Sequence, residues 1–483
     1  MGYKYKRHFC IDLENQLKHN QIIFLLGPRK CGKTVALKQI SKNNANYDYT
    51  DVKMLDSKEK AEYIDKIITS IENNEDIVYL LDEVTYLDRP ELEIEKIANS
   101  YADFCNNSTK IVFTGSQSIA LNSWGNRSFS GNALFIKADF INYAEWLEYK
   151  NETKINDDTY YDFLLNTREF YKFTNTKDYL NGCLEETIFS NYKTTNIIFN
   201  NDCSLINVDI LLDIMYLSMF SKHNHVNYNT FMNSKNLFND INYYFRKETS
   251  KIGISEINNK IADIFINRFN NIKGISLESL KQAIAFLYKN DLISITYNND
   301  KLISKDVYYE LVSNNSSITT KEQLFSDINT TINYPMFYMD ILKDILQKEM
   351  PSKINNSLLG SFVECNIRGL LQDKNVIEYH DYEDREIDYI NISFQIAIEI
   401  SISNKRMRNT NFDILPDDYT KILITKDKDE EINNINKIPY YKFIYELSEG
   451  KQLLDYKKTS IKINDYLQEQ ELINNKEKET YKR

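Results

Sequence analysis

Gln21–Thr34, QIIFLLGPRKCGKT, decides how the chain folds. The apolar run Ile22–Leu26 predicts a strand buried in a parallel sheet. It stops at Gly27, and GPRKCGKT then satisfies the phosphate-loop pattern G-x-x-x-x-G-K-[ST] at every position. Each fixed position has a physical reason. Gly27 and Gly32 let the backbone curl so that successive N–H groups converge on phosphate oxygens. Lys33 brings charge to the β- and γ-phosphates, and Thr34 offers a hydroxyl to Mg²⁺. A helix from Thr34 to Ser41 adds its positive end. Gly27, Pro28, Arg29, Lys30, Cys31, Gly32, Lys33, Thr34 and Val35 are therefore the expected nucleotide-binding residues, with ATP and Mg²⁺ as cofactors. Glycine is scarce, 12 in 483 residues, which argues against a chance match.

Working outward, Lys4–Lys18 reads as a helix or arm leading into the first strand. Tyr47–Val52 reads as a second strand and Lys58–Asn73 as a helix. Ile77–Glu83, IVYLLDE, is an apolar run followed by two acids at the carboxyl end of a buried strand, where ligands of open α/β sheets bind. Asp82 is expected to hold Mg²⁺ and Glu83 to polarise the attacking water. Glu91–Cys105 is helical in pattern. Lys110–Ser116 is the next strand, ending where a γ-phosphate sensor would sit, with Thr114 and Ser116 as candidates and plain turn chemistry as the alternative. A strand between the phosphate loop and the acidic strand, plus Glu83, points to the ATPase class with an added central strand.

The composition sets bounds on this reading. A hydrophobic fraction of 42% and a charged fraction of 27% are those of a soluble globular protein of several domains. A net charge of −11 argues against bulk, sequence-blind nucleic-acid binding while leaving a local basic face open. Six cysteines without a C-x-x-C pair predict reduced thiols rather than zinc or disulfides. Cys31, inside the loop, reads as oxidation-sensitive or as a small filler. The absence of an apolar run near ~20 residues, and of a secretory leader, predicts a cytoplasmic protein without a membrane span.

The motifs together resemble the prokaryotic AAA-type ATPases, related to the signal-transduction NTPases, that carry a C-terminal PD-(D/E)XK nuclease-like fold. The matching pieces run in order: Arg7, GPRKCGKT, LLDEV at Leu80–Val84, FTGSQS at Phe113–Ser118 and SFSGNALFIKADFINYAEW at Ser128–Trp146. Asn132 stands where that family has an arginine, and Arg127 is near enough in sequence to substitute. KDYLNGCLEE, Lys177–Glu186, resembles the segment after the family's ATPase core.

A polar boundary at Asn151–Asp158 precedes helical periods over Asp209–Phe220 and Phe231–Lys247, read as a lid. Ile257–Phe269, then Ser276 capping Leu277–Lys289, then the strand Leu292–Tyr297 spell a winged helix. Its second helix is expected to expose Glu278, Lys281 and Gln282, which is not a basic face. DNA contact, packing and an oligomer role all stay open.

Leu358–Leu371 resembles the helix that opens the family's nuclease-like domain. EDREIDYI, Glu383–Ile390, and AIEISIS, Ala397–Ser403, follow. Asp388 and Glu399 suit a hairpin, and Glu364 is a candidate third acid for a second metal site. Ser401 stands where the nuclease lysine belongs, which favours a retained scaffold over an active nuclease. Lys405–Arg408 is a short basic cluster beside it.

The expected architecture is α/β: a P-loop NTPase parallel-sheet domain over residues 1–150, a helical lid over 151–249 and a winged helix over 250–315. A restriction-endonuclease-like α/β domain follows over 330–450, and a charged tail over 451–483. The expected work is ATP hydrolysis to ADP, with Lys33 and Glu83 catalytic, as a switch coupled to the C-terminal module. Turnover should be slow unless a partner completes the site, since no arginine in cis is evident. The alternatives are DNA/RNA binding or nuclease action through the C-terminal acids, and a scaffold with little turnover. DNA, a protein partner and a second copy of the chain stay open as partners.

Overall fold

The computed structural model describes residues 5–42, 44–102, 108–171, 173–189, 206–220, 267–268, 270–297, 311, 317–346, 356–371, 378–382, 385–391, 393–402, 412, 415–416 and 418–456. The chain divides into two units, Met1–Asn366 and Ile367–Arg483.

The first unit opens with α1 (His8–Gln16), β1 (Ile22–Leu26), α2 (Lys33–Ser41), β2 (Tyr47–Asp51), α3 (Ser57–Glu72) and β3 (Val78–Asp82). It continues with α4 (Pro90–Ala102), β4 (Lys110–Thr114), α5 (Ser118–Phe129) and β5 (Leu134–Lys137). The five strands lie in the order β2-β3-β4-β1-β5, all parallel. β4 is thus inserted between β1 and β3. The loop after β1 and the acids at the end of β3 emerge at one carboxyl edge with only β4 between them.

The reason lies in the side chains. β1 is apolar throughout, β3 is apolar up to its terminal Asp82, and both are buried, while β2, YDYTD, is half-buried at the edge. Phe24 of β1 stacks on Phe113 of β4 at 4.8 Å and on Phe135 of β5 at 5.4 Å. Ile64, Ile67 and Ile71 form the buried face of α3 and close the same core. An Asp56–Glu59 capping box starts that helix. α5 and β5 were not anticipated as elements. α5 is polar in composition, yet Gly125 lets it press on the sheet; a Cβ there would come within 2.8 Å of Phe24 and 2.9 Å of Phe135.

α6 (Tyr143–Lys150), α7 (Asp157–Asn166), α8 (Thr176–Phe189) and α9 (Val208–Phe220) follow, then the helix Leu277–Lys289 and β6 (Ile293–Tyr297). The expected helix Phe231–Lys247 and nearly all of Ile257–Phe269 lie outside the described residues. Ser276 caps its helix as its sequence implies, accepting from the Ser279 N–H at 3.1 Å. β6 pairs antiparallel with β7 (Ile328–Ile332), beyond the span expected for a winged helix.

One expectation about this region is overturned. Lys281 and Gln282 are both 5% exposed, not on an open face. The helix is covered on nearly every side, and Lys281 Nζ donates to the Ile318 carbonyl at 2.6 Å. Its amphipathic pattern counted a lysine as solvent-facing, whereas a long stem can lie buried when its ammonium reaches a carbonyl.

The second unit is a mixed six-stranded sheet in the order β12-β13-β11-β10-β9-β8. Its strands are β8 (Glu378–Tyr382), β9 (Arg385–Asn391), β10 (Ile396–Ile400), β11 (Thr420–Thr425), β12 (Glu430–Ile432) and β13 (Ile435–Pro439), and the helix Tyr440–Ser448 follows. Ile387, Ile390, Ala397, Phe412, Leu423 and Ile435 form its own core. The chain past Lys451 is not all tail. Leu453 and Tyr456 are buried, and the Tyr456 hydroxyl donates to Glu446 at 2.6 Å. Residues 457–483 lie outside the described set, and no helix among the described residues is long and apolar enough to cross a membrane.

Candidate nucleotide-binding site

Gly27 adopts φ +144° and Gly32 φ +110°, with Lys30 also left-handed at φ 60°. A Cβ on Gly27 would stand 1.7 Å from the Ala138 carbonyl oxygen, so β5's exit and the loop can coexist only with glycine there. Ser118, the first residue of α5, clamps the same glycine from the other side. Its Oγ accepts from the Gly27 N–H at 2.7 Å and donates to the Gly27 carbonyl at 3.0 Å. Lys33 is buried, and its Nζ donates to the Gly27 and Pro28 carbonyls at 2.6 and 2.8 Å. The ammonium therefore lies across the mouth of the curl it is expected to serve.

A second support comes from the arm ahead of β1. Arg7 caps α1, is buried, and sends Nη1 to the Cys31 carbonyl at 2.9 Å. Its Nε and Nη2 meet both carboxylate oxygens of Glu145 at 2.8 and 2.9 Å, and Nη2 also reaches the Asp139 carbonyl. This two-pronged pair ties α1, the loop and α6 together. Burial would lift the Glu145 acid, but the Arg7 charge and its hydrogen bonds, with the His8 N–H, hold it below the usual carboxylate range. Sequence reading marked Arg7 as a motif position without a role and missed Glu145 and Ser118. Their partners are distant in the chain, so no local pattern reports them.

The loop's outer side chains turn toward the helical region that follows the sheet. Arg29 lies against α8, where a Cβ on Gly182 would stand 1.5 Å from its Nη1. The Tyr179 hydroxyl donates to the Arg29 carbonyl at 3.2 Å, and Lys30 Nζ lies 5.8 Å from the Phe173 ring centroid. Arg29 and Lys30 thus offer their backbone to the loop while their side chains pack outward. Cys31 is fully buried, and burial pushes its thiol up, so it is a filler and not a reactive thiolate. Val35 sits in the first turn of α2, half-buried.

At the other strand, Asp82 ends β3 and is 1% exposed. Burial pushes its acid up, while hydrogen bonds from Thr34 and then Tyr49 pull it back. The Tyr49 hydroxyl donates to Asp82 Oδ2 at 3.0 Å. The pair expected to hold Mg²⁺ is therefore already in contact, oxygen to oxygen, which fits a hard cation with oxygen ligands. Glu83 follows in a left-handed conformation at φ 55° and opens a 3-10 turn, Val84–Tyr86. That bend carries the chain out of the sheet plane at the carboxyl edge.

The two sensor candidates separate. Thr114 is fully buried, and its hydroxyl donates to the Leu25 carbonyl at 2.8 Å, so it fastens β4 to β1. Ser116 Oγ is buried and has no hydrogen-bond partner among the described residues. Arg127, the candidate to stand in for the arginine that Asn132 replaces, pairs its guanidinium with Glu91 of α4.

The acids of the second proposed metal site are distributed between the units. Glu364 lies on the helix Asn356–Leu371 and falls in the first unit. Asp388 and Glu399 lie on β9 and β10, which pair antiparallel. The Asp388 carboxylate accepts the Ile400 N–H at 2.6 Å. Ser401 donates its N–H to the Ile424 carbonyl, and Lys405–Arg408 lie outside the described residues.

No curated protein matches. Among solved structures, AMPPCP-bound DnaA from Aquifex aeolicus is similar at 14% identity, over 59% of this chain and 94% of that one, with a TM-score of 0.25. The Aeropyrum pernix ORC1 protein in complex with DNA is similar at 9% identity, over 70% of this chain and 93% of that one, also at 0.25. Overlaps this shallow bear on neither activity nor partner. Residues 19–147 match the model of the AAA domain family, the stretch that carries the phosphate loop, the acidic strand and β5.

Proposed function

We propose that the protein binds ATP with Mg²⁺ and hydrolyses it to ADP and phosphate. The observation that carries this is the convergence of Thr34 on Asp82, with Glu83 next in the chain. Mg²⁺, when bound, draws charge off the phosphate oxygens. Thr34 and Asp82 would hold it, and the loop amides with Lys33 would hold the phosphates once the ammonium leaves the carbonyls of Gly27 and Pro28. Glu83 polarises a water. The water's oxygen bonds to the γ-phosphorus, the bond to the ADP oxygen breaks, and the water's proton passes to Glu83. Lys33→Ala should abolish hydrolysis, and Glu83→Gln should keep ATP binding while cutting turnover by ~100-fold or more. Unchanged hydrolysis in Lys33→Ala rejects the assignment.

The ATPase acts as a switch for the C-terminal unit, which we read as a scaffold rather than a nuclease. Support comes from Ser401 in the lysine position and from Asp388 spending a carboxylate oxygen on the Ile400 N–H. DNA cutting with Mn²⁺ that Asp388→Ala removes would reverse that reading.

A further inference from the structure

Thr85 follows Glu83 by two residues and is fully buried, yet its Oγ1 has no hydrogen-bond partner among the described residues. It sits over Gly115 at the end of β4; a Cβ on that glycine would meet Thr85 Cγ2 at 3.4 Å and Oγ1 at 3.5 Å. Ser116, the next residue, carries a second buried hydroxyl oxygen without a partner among the described residues. β4 runs beside β1 with Thr114 opposite Leu25, so Gly115 and Ser116 lie level with the start of the phosphate loop. Two hydroxyl oxygens without partners among the described residues thus lie at this edge, one on the turn after Glu83 and one level with the start of the loop.

A hydroxyl sealed from water without a partner is costly, and native structures keep few of them. Threonine here could be replaced by valine of nearly the same shape at no loss of packing. The 3-10 turn Val84–Tyr86 needs no hydroxyl at its centre, since its backbone bonds are made by the Tyr86 and Leu87 N–H groups to the carbonyls of Glu83 and Val84.

We infer that Thr85 is a further catalytic residue, whose hydroxyl holds the water that Glu83 polarises, with Ser116 on the phosphate side. This rests on the ATPase reading. It makes an unusual demand: removing the hydroxyl must leave the empty protein at least as stable while it damages the reaction.

The test compares the full-length wild type, Thr85→Val and Thr85→Ser with Mg²⁺. Thr85→Val should melt no lower than wild type without nucleotide, bind ADP unchanged and lose ~100-fold in turnover number, with KM for ATP little altered. Thr85→Ser should retain most of the turnover. Turnover unchanged in Thr85→Val, equal loss of ADP and ATP affinity, or a variant that melts well below wild type or fails to fold would each overturn the inference, the last because it reveals a structural partner. Failure of the wild type to hydrolyse ATP would overturn the ATPase reading, and this inference with it.

Discussion

Tyr49 shows how much of the metal site is set by one hydroxyl. It donates to the same carboxylate that Thr34 touches, and both bonds favour the charged form against the lift from burial. Tyr49→Phe removes one of them, so Asp82's acid should rise further. Mg²⁺-dependent ATP binding, which requires the carboxylate, should then weaken ~10-fold at neutral pH, and its acid limb should move to higher pH. Binding titrations across pH with and without Mg²⁺ check this, and an unmoved acid limb refutes it. Glu145 has the opposite sign. Its folded value lies below the unfolded one, so its contribution to stability is complete above the ordinary carboxylate range and is lost as pH falls through the lowered value. Glu145→Gln should cost about 3–5 kcal/mol at neutral pH, because it strands a buried guanidinium. Denaturant melts should show the gap to wild type closing in acid. Neither group was legible as a working residue. Asp82 could be marked as a metal-ligand candidate because a strand-end acid is a local pattern; Tyr49 and Glu145 reach their partners through sheet register and across 138 residues.

At the scale of elements, α8 is built to receive the phosphate loop. Gly182 leaves room for the Arg29 guanidinium, and Tyr179 holds that residue's carbonyl. Loop and helix are thereby fastened to each other at Arg29. Gly182→Ala should displace Arg29 and weaken ATP binding ~10-fold, although alanine favours the helix by about 1 kcal/mol relative to glycine. Arg29→Ala in the same chain should restore binding, since it vacates the space; failure of that rescue would show that the contact is incidental. The elements readable in the sequence included those with an apolar run, β1, β3 and β4, the periodic helices α3 and α4, the alternating edge strand β2, and those with a punctuating cap, such as Ser276. α5 was hidden because its buried side is made by Gly125, Leu121 and Trp124 amid polar residues. The exposure of Lys281 was misjudged because periodicity assigns faces from residue type, while burial follows from what packs there.

The whole molecule has two units with separate cores, one closed around the five-stranded sheet and one around the six-stranded sheet. Calorimetry should therefore resolve two unfolding transitions. A ligand that binds only the folded first unit stabilises it by RT ln(1 + [L]/Kd), about 2.7 kcal/mol at a hundredfold excess over Kd. Mg²⁺ with a non-hydrolysable ATP analogue should raise the first transition, and Lys33→Ala should cancel the rise. The switch reading demands more. If nucleotide state is coupled to the second unit, linkage requires the second transition to move as well, since a coupling free energy acts on both partners. A coupling of ~1–3 kcal/mol is typical and would move a domain of this size by several degrees. A second transition fixed to within a degree while the first climbs would leave an ATPase without a driven module. A second transition that moves only when Arg29 and Gly182 are native would make the contact between the loop and α8 part of that coupling.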